Sequence, residues 1–281
     1  MTRVLLNAFF CITIIALTMP MASADEAKSL RLGIMPFNSA LALIKTHQPL
    51  RQHLETTLNR KVEIFTSADY YTFINELLDG QYDLAIAGPH FSSMAAERGW
   101  EPLVRYQVDL QPVFVVARDS PIRELTDLRG KRIGLSSRLS ISSIGGVKWL
   151  NDQGVKLGKD YQLFERATHG AAVAAVSVGE LDAALTTHTP LRQVPEDIRA
   201  RLRILPLDIR VPHLMTLAHS RLGKKSIRQI QQSLQSFSVT EAGRAFFQST
   251  GYEGYRTVSA TDLSELKPFV SLTIQMMKTA Q

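Results

Sequence analysis

A serine-rich segment in the middle of the chain has the residue types of an anion-binding site. Residues 136–143 read SSRLSISS and precede Ile144-Gly145-Gly146, at the start of a predicted helix. A helix start offers unpaired N–H groups and the positive end of the helix dipole, and both suit an anion. The serines are therefore predicted to bind a small anion, with Ser142 or Ser143 as the helix N-cap. The simpler alternative is that they only cap the helix.

Five further loops place polar or aromatic residues at strand ends and helix starts. The first of these loops is 35–38. In the other four loops the candidate ligand-binding residues are Tyr70, Tyr71, Pro89, His90, His169, Thr187 and His188. Open α/β sheets bind ligands beyond the carboxyl ends of their strands, so all six loops are predicted to meet in one cleft. Taken singly, each residue has a structural alternative, because histidines can cap helices or stay solvated and tyrosines can pack in a core.

The elements that carry these loops repeat at a spacing of about 100 residues. The pattern Gly-x-(Tyr/Leu)-Asp-(Leu/Ala)-Ala-(Ile/Leu) occurs at Gly80 and again at Gly179, each time after a predicted helix. Its aspartates, Asp83 and Asp182, open strands and are predicted to pair locally rather than to act in catalysis. Each unit reads strand, helix, strand, helix, strand, which is typical of a parallel sheet covered by helices.

Two extended segments are predicted to cross between the two units. They are Pro112–Arg118 and Ile204–Ala218. The sequence thus predicts two α/β lobes joined by two extended crossings, with a ligand cleft between them. Lobe 1 is predicted to comprise residues 25–115 and 211–281, and lobe 2 residues 116–210. The helical segments 225–247 and 262–277 are predicted to pad lobe 1.

Residues 1–24 have the features of a secretory signal peptide. The apolar run from Val4 to Met19 ends at Pro20, and Ala22-Ser23-Ala24 supplies the small residues that a signal peptidase recognises. Cleavage is expected before Asp25; an uncleaved anchor is the alternative, although the run is short for a membrane span. Cys11 is the single cysteine and lies in this run, so the mature chain is expected to form no disulfide and no Cys metal site.

Composition and motifs exclude several classes of function. The chain has 281 residues, of which 45% are hydrophobic and 21% charged, so it is not a disordered chain. Its formal charge of +6 comes from scattered basic residues, and no nucleic-acid binding is predicted. The motifs G-x-S-x-G, H-E-x-x-H and Walker A are absent, so the sequence predicts no enzyme, no metal and no cofactor.

At these loops the chain resembles the periplasmic phosphate-, phosphite- and phosphonate-binding proteins of ABC transporters, the PhnD-like family. The resemblance covers nearly all of the chain after residue 24 and depends on the order and spacing of short motifs. These are Leu32-Gly33-Ile34, Asp69-Tyr70-Tyr71, Gly80-x-x-Asp83-Leu84-Ala85, Gly88-Pro89, Asp119-Ser120-Pro121-Ile122, Asp127–Arg132, Ser140-Ile141-Ser142, His169 and Gly179-x-x-Asp182-Ala183. It implies the type II periplasmic-binding-protein fold and a periplasmic location.

The resemblance also implies which residues bind the ligand. They are Tyr70, Ser140, Ile141 through its backbone N–H, Ser142 and His169. The chain departs from the family pattern at two places that concern the ligand. The first is the family's usual Ser-Thr-Ser-Gly, which here reads SISS at 140–143 and so lacks one hydroxyl. Members that bind aminoalkyl phosphonates carry an acid after the position of Pro212, where this chain has His213-Leu214-Met215. A ligand without an amino group is therefore predicted.

Two functions remain open on the sequence. The first is a solute-binding protein that captures a small phosphonate-, phosphite- or phosphate-like oxyanion and delivers it to an ABC-transporter permease. The second is a sensor of the same fold that signals to a membrane histidine kinase or diguanylate cyclase. In both cases a monomer is expected to close on its ligand at the two crossings.

Overall fold

The computed structural model describes residues 28–279 as two α/β lobes. The predicted signal peptide lies outside the described residues. Within 28–279, no helix combines the length and the apolar content that a membrane span requires. Lobe 1 begins with β1 (Leu30–Ile34), α1 (Ala40–Leu58), β2 (Val62–Phe65), α2 (Tyr70–Leu78), β3 (Leu84–Ala87), α3 (Pro89–Ala96) and β4 (Trp100–Tyr106).

The chain then forms lobe 2 and returns to lobe 1. Lobe 2 comprises β5 (Pro112–Ala117), a 3-10 helix (Leu125–Leu128), β6 (Lys131–Leu135), α4 (Ile141–Asp152), β7 (Tyr161–Glu165), α5 (His169–Ser177), β8 (Ala183–Thr187), α6 (His188–Arg192), α7 (Glu196–Arg199) and β9 (Leu202–Pro206). The returning elements are β10 (Met215–His219), a 3-10 helix (Ser220–Leu222), α8 (Gly223–Phe237), α9 (Glu241–Thr250), β11 (Tyr255–Thr257), α10 (Ala260–Ser264) and α11 (Lys267–Thr279).

The two sheets share the topology of five strands, and lobe 1 adds β11 as a sixth strand at one edge. The order in lobe 1 is β2-β1-β3-β10-β4-β11 and in lobe 2 β7-β6-β8-β5-β9. In each sheet the first three strands are parallel, and the fourth is the strand that follows a crossing and runs antiparallel to its neighbours. The carboxyl ends of the parallel strands in each lobe therefore meet at one edge of the sheet, where the predicted ligand loops begin. The fold is the type II periplasmic-binding-protein fold.

The sequence repeat is also a repeat of hydrogen bonds. The Asp83 carboxylate accepts the backbone N–H of Arg31 at 2.9 Å, and the Asp182 carboxylate accepts that of Arg132 at 2.7 Å. Each aspartate thereby connects the start of its own strand to the neighbouring parallel strand. The predicted local pairing of both aspartates is confirmed, and neither residue is near the cleft loops.

Glycines in β1 and β6 allow close packing at equivalent positions. A Cβ at Gly33 would lie 2.6 Å from the ring of Tyr82, and a Cβ at Gly134 would lie 2.5 Å from Leu181 Cδ1. Tyr82 and Leu181 each precede the repeat aspartate. Only glycine lets these buried side chains cross the strand at this distance, which explains why both strands carry it.

The first predicted crossing is wrong. Pro112–Ala117 forms β5, which pairs along its length with β8 and β9 in the lobe 2 sheet. Its residues are apolar because a central strand is buried on both faces, which gives the same sequence pattern as a sheltered linker. The predicted lobe boundary at residue 115 therefore falls inside a strand, and the chain leaves lobe 1 before Pro112.

The second crossing is shorter than predicted. Ile204 belongs to β9 and Met215–Ala218 to β10, so the second crossing consists of residues 207–214. The two crossings contact each other, since Leu110 and Val211 exchange backbone hydrogen bonds of 2.8 and 3.0 Å. This short antiparallel bridge is the point at which the lobes are joined most directly.

The C-terminal helix α11 does more than pad lobe 1. It packs against α3 of lobe 1 and also against α4 of lobe 2. Phe269 of α11 is within 3.7 Å of the position that a Cβ at Gly145 of α4 would occupy. The helix that carries the serine segment is therefore in contact with both lobes.

Replacing Gly33 by alanine is expected to lower the melting temperature by several degrees. The new Cβ would overlap the Tyr82 ring, whose hydroxyl group bonds Glu76 and Ser67 and so resists displacement. Overpacking of this kind costs about 1–3 kcal/mol. Gly145→Ala is the matched control, because its nearest neighbours lie at 3.5 Å or more. Equal melting temperatures for Gly33→Ala and the control would contradict the packing argument.

Candidate functional site

A small cavity lies between the lobes where the strand-end loops meet. Its volume is about 30 Å³, which is room for about two or three water molecules. Lobe 1 and the crossings line it with Met35, Phe37, Tyr70, Leu110, His213, Leu214 and Tyr252, and lobe 2 with Ser140, Ile141, Ser142, His169, Thr187, Thr189 and Pro190. A larger hollow of about 460 Å³, lined among others by Gln107, Arg192 and Arg244, shares no lining residue with this cavity. We place the candidate site in the small cavity because the polar side chains and helix starts converge there.

The serine segment forms the first turn of α4. Ser140 is the N-cap, so the predicted cap at Ser142 or Ser143 is wrong and the helix begins earlier, at Ile141. The Ser140 hydroxyl accepts the backbone N–H of Ser143 at 3.2 Å and lies 3.0 Å from the Ser142 hydroxyl. The earlier start places Ile141 and Ser142 at the first two helical positions, whose N–H groups have no partner within the helix.

Tyr70 and His169 face each other across the cleft, as the repeat predicts. Each is the first residue of its helix, and each helix is capped by the preceding side chain, Asp69 for α2 and Thr168 for α5. The Tyr70 hydroxyl lies 3.4 Å from Nε2 of His169. The Ser136 hydroxyl lies 3.1 Å from the same nitrogen. The two equivalent helix starts, one from each lobe, therefore bring their side chains to one place.

His213 comes from the second crossing and was not predicted as a site residue. Its Nδ1 accepts the backbone N–H of Leu214 at 2.8 Å, which leaves the ring proton of the neutral imidazole on Nε2. Nε2 lies 3.2 Å from the hydroxyl oxygen of Thr189 in lobe 2. The departure from the family pattern after Pro212 was the sequence signal for this position. Tyr252, also missed, follows α9 and stacks on Tyr106 with ring centroids 4.0 Å apart.

Four predicted residues do not line the cavity. Tyr71 is half-buried against the lobe 1 core, and Pro89 is buried at the first position of α3. His90 is fully buried, and its Nε2 lies 2.9 Å from the carbonyl oxygen of Leu139. His188 is half-buried, and its Nδ1 accepts the backbone N–H of Gln111 at 3.3 Å. These residues follow strands as predicted, but their side chains turn away from the cavity.

The cavity lining carries no charged side chain. Burial lowers the pKa of His169 to about 4 and holds the pKa of His213 well below its usual range, with the charges of His188 and Arg105 adding to the latter effect. Burial also raises the pKa of Tyr70, and it raises the pKa of Tyr252 to about 12. At neutral pH the site therefore offers hydroxyl groups, imidazole N–H groups and helix-start N–H groups. Among residues 28–279, no three His, Cys, Asp or Glu side chains cluster as a metal site would require.

The comparisons with known proteins agree with this fold. The family described as the periplasmic substrate-binding protein of the phosphonate ABC transporter matches residues 32–263. The phosphonates-binding periplasmic protein of Escherichia coli K12 is 22% identical over 264 residues, which cover 88% of this chain and 78% of that protein. This chain belongs to that family of substrate-binding proteins, which are transport proteins and not enzymes.

Two solved structures resemble the whole fold. A binding-protein component of an ABC phosphonate transporter from Pseudomonas aeruginosa superposes with a TM-score of 0.77 at 14% identity, covering 90% of this chain and 88% of that chain. PhnD1 of Prochlorococcus marinus in complex with methylphosphonate has a TM-score of 0.76 at 16% identity, covering 86% and 97%. At these identities the likeness establishes the fold alone.

The unfolding free energy is expected to fall as the pH is lowered from 7 to 5. The pKa of His169 is about 4 in the folded chain and about 6.5 in the unfolded chain, so between these values only the unfolded chain binds the proton. By linkage, this stabilises the unfolded state by about 2 kcal/mol at pH 5 for one such histidine. The free energy of unfolding can be measured by urea titration at pH 7 and at pH 5. The loss between the two pH values should be smaller in His169→Asn than in the parent, by about 2 kcal/mol. An unchanged difference would show that His169 is already protonated in the folded protein.

Proposed function

We propose that this chain captures a small oxyanion of the phosphonate, phosphite or phosphate class between its lobes and delivers it to an ABC-transporter permease. One observation carries the proposal: the starts of α2, α4 and α5 converge with hydroxyl side chains on a single cavity between the lobes. Membership of the phosphonate-binding family supports the same function. The relatives named above are transport proteins, so they favour transport over the sensory alternative.

The donors of the cavity match the needs of a tetrahedral oxyanion. Such an ion has three or four oxygens pointing in different directions, and each must be hydrogen-bonded once water is removed. In lobe 2, Ser142 and the first N–H groups of α4 can serve one side, and His169 can serve another. In lobe 1, the Tyr70 hydroxyl approaches from the opposite wall. Hydrogen bonds to a charged acceptor are about twice as strong as neutral ones, which compensates for the absence of a cation.

The remaining lining selects the substituent on the oxyanion. Met35, Phe37, Ile141 and Leu214 supply apolar surface, and no carboxylate lines the cavity to receive an ammonium group. A buried ammonium without such a partner carries a large desolvation cost. We therefore propose that the ligand carries hydrogen, hydroxyl or a small alkyl group, as in phosphite, phosphate and methylphosphonate, rather than an aminoalkyl chain.

Two further properties belong to this proposal. The protein acts as a monomer that closes by a hinge at the crossings, which is supported by the single backbone bridge between Leu110 and Val211. The predicted signal peptide directs it to the periplasm and is cleaved before Asp25. Both agree with the role of the family and are open to direct measurement, the second by N-terminal sequencing of the exported protein.

A ligand panel tests the proposal directly. The chain from residue 25 onward should be stabilised by at least one of phosphite, methylphosphonate and phosphate, and less by aminoethylphosphonate or a carboxylate. At 100 times its dissociation constant a ligand contributes about 2.7 kcal/mol, which is easily detected in a melting curve. Small-angle scattering on the same samples should show a monomer in each case. If none of the three oxyanions stabilises the protein, or if aminoethylphosphonate is preferred, the proposed ligand class is wrong.

Ser142→Ala is expected to weaken oxyanion binding by about ten- to a hundredfold, because it removes a hydroxyl donor to a charged acceptor. The melting temperature should change little, since the Ser142 side chain caps no backbone group. Ser140→Ala should lose affinity and also about 1 kcal/mol of stability, because Ser140 is the N-cap. Ser143→Ala is the comparison: it removes a hydroxyl that lies 2.7 Å from the Ser140 hydroxyl but does not line the cavity, so it should lower stability and leave affinity nearly unchanged. Titration calorimetry that gives the same affinity for all three variants would place the ligand elsewhere.

A further inference from the structure

His90 connects the two lobes next to the candidate site. It is the second residue of α3 in lobe 1 and is fully buried. Its Nε2 lies 2.9 Å from the carbonyl oxygen of Leu139 in lobe 2. A carbonyl can only accept, so the imidazole donates and its Nε2 carries the proton. Burial lowers the pKa of His90 to about 4, which agrees with a neutral ring holding this one proton.

The carbonyl that His90 holds belongs to the residue directly before the N-cap of α4. Leu139 precedes Ser140, and the side chains of Leu139 and Ile141 pack into the core of lobe 1 although both residues belong to lobe 2. Within residues 28–279, the Leu139 carbonyl accepts no other hydrogen bond. The position of the α4 start relative to lobe 1 therefore depends on this polar contact, on the apolar packing around it and on α11, which packs against both α3 and α4.

Local packing fixes the direction of the His90 ring. The ring lies against Phe91 with centroids 4.2 Å apart. Gly88 leaves the space for it, because a Cβ there would lie 3.0 Å from Cε1 of His90. Nδ1 of His90 is buried and has no partner in the described part of the chain, so the ring makes a single hydrogen bond, and that bond points across the cleft.

Other side-chain hydrogen bonds also join the lobes. Tyr70 lies 3.4 Å from His169, His213 lies 3.2 Å from Thr189 and Asn38 lies 3.4 Å from Gln193. The first two involve side chains that line the cavity, and a ligand there would compete for them. The bond from His90 lies outside the cavity and can remain intact when the site is filled.

We propose that His90 is a positioning residue: its bond to the Leu139 carbonyl holds the start of α4 against lobe 1, so that it favours the closed form and fixes the orientation of Ser140–Ser142. The proposal rests on the proposed function for the role of those serines. It assigns His90 to closing of the lobes instead of ligand contact. An incoming oxyanion then meets hydroxyl and N–H groups that are already oriented.

The test compares His90→Phe with His90→Gln and His47→Phe. Phenylalanine keeps the ring volume and removes the donor, whereas the glutamine amide nitrogen can reach the same carbonyl. His47 is the matched control: it is also fully buried in lobe 1 and bonds a backbone carbonyl at 2.9 Å, but that carbonyl, of Leu43, belongs to its own helix. His90→Leu replaces His90→Phe if the latter does not fold.

The first measurement reports closing without any ligand. Asn38→Cys and Gln193→Cys are placed across the cleft in the chain from residue 25 onward, which has no other cysteine. The rate of disulfide formation between them, at a fixed concentration of oxidised glutathione as the electron acceptor, measures how often the lobes close. His90→Phe should slow it about tenfold or more, because a lost bond of this kind leaves a buried carbonyl unsatisfied. His90→Gln and His47→Phe should stay within about threefold of the parent.

The second measurement is the binding of methylphosphonate by stopped flow and calorimetry. His90→Phe should weaken the affinity by about ten- to a hundredfold through faster dissociation, with the association rate nearly unchanged. His90→Gln should restore most of it. Equal cross-linking rates in His90→Phe and the parent, or equal losses in His90→Phe and His47→Phe, would overturn the proposal. If the parent binds no oxyanion, the proposed function fails, and the cross-linking rates still decide the role of His90.

Discussion

An anion that leaves water for a cavity without a charged side chain must be stabilised by dipoles, and this requirement shapes the molecule. Dipoles act over a short range, so several must point at one place from different directions. Here the helix starts come from two lobes, α2 from one and α4 and α5 from the other, and each cavity wall is incomplete alone. The site therefore exists only when the lobes are together, and the energy of ligand binding is necessarily coupled to their relative position.

The repeated sheet topology is what brings these helix starts together. In each lobe a strand returns from a crossing and lies antiparallel beside the third parallel strand, so both sheets turn their carboxyl edges to the cleft. The repeat extends to single contacts: Asp83 and Asp182 bond equivalent backbone N–H groups, and glycines admit Tyr82 and Leu181. These contacts stabilise each lobe internally and do not depend on closing. The lobes can thus move as units while the site between them is formed or lost.

The part of the site that follows the repeat was predictable from the sequence, and the part outside the repeat was not. Tyr70 and His169 occupy equivalent helix starts, so one prediction implies the other. His213 and Thr189 face each other because of the second crossing, and Tyr252 follows a helix with no counterpart in lobe 2. No periodicity marks such residues. The error at β5 has a similar origin, because an uninterrupted apolar run has the same pattern in a central strand and in a buried linker.

The histidines show why residue type and strand-end position do not fix a role. His90 and His188 each lie within two residues of a helix start after a strand, as His169 does at the start of α5, and all three were predicted to bind the ligand. The direction of each imidazole ring decides which group the histidine contacts. His169 faces Tyr70 across the cavity, His188 accepts a backbone N–H from the first crossing, and His90 donates to a carbonyl of the other lobe. Under the proposed role of His90, a hydrogen bond that joins the lobes beside the candidate site, but outside it, would tune closing without altering the groups that line the cavity. On that proposal, affinity and ligand choice could be changed at different residues.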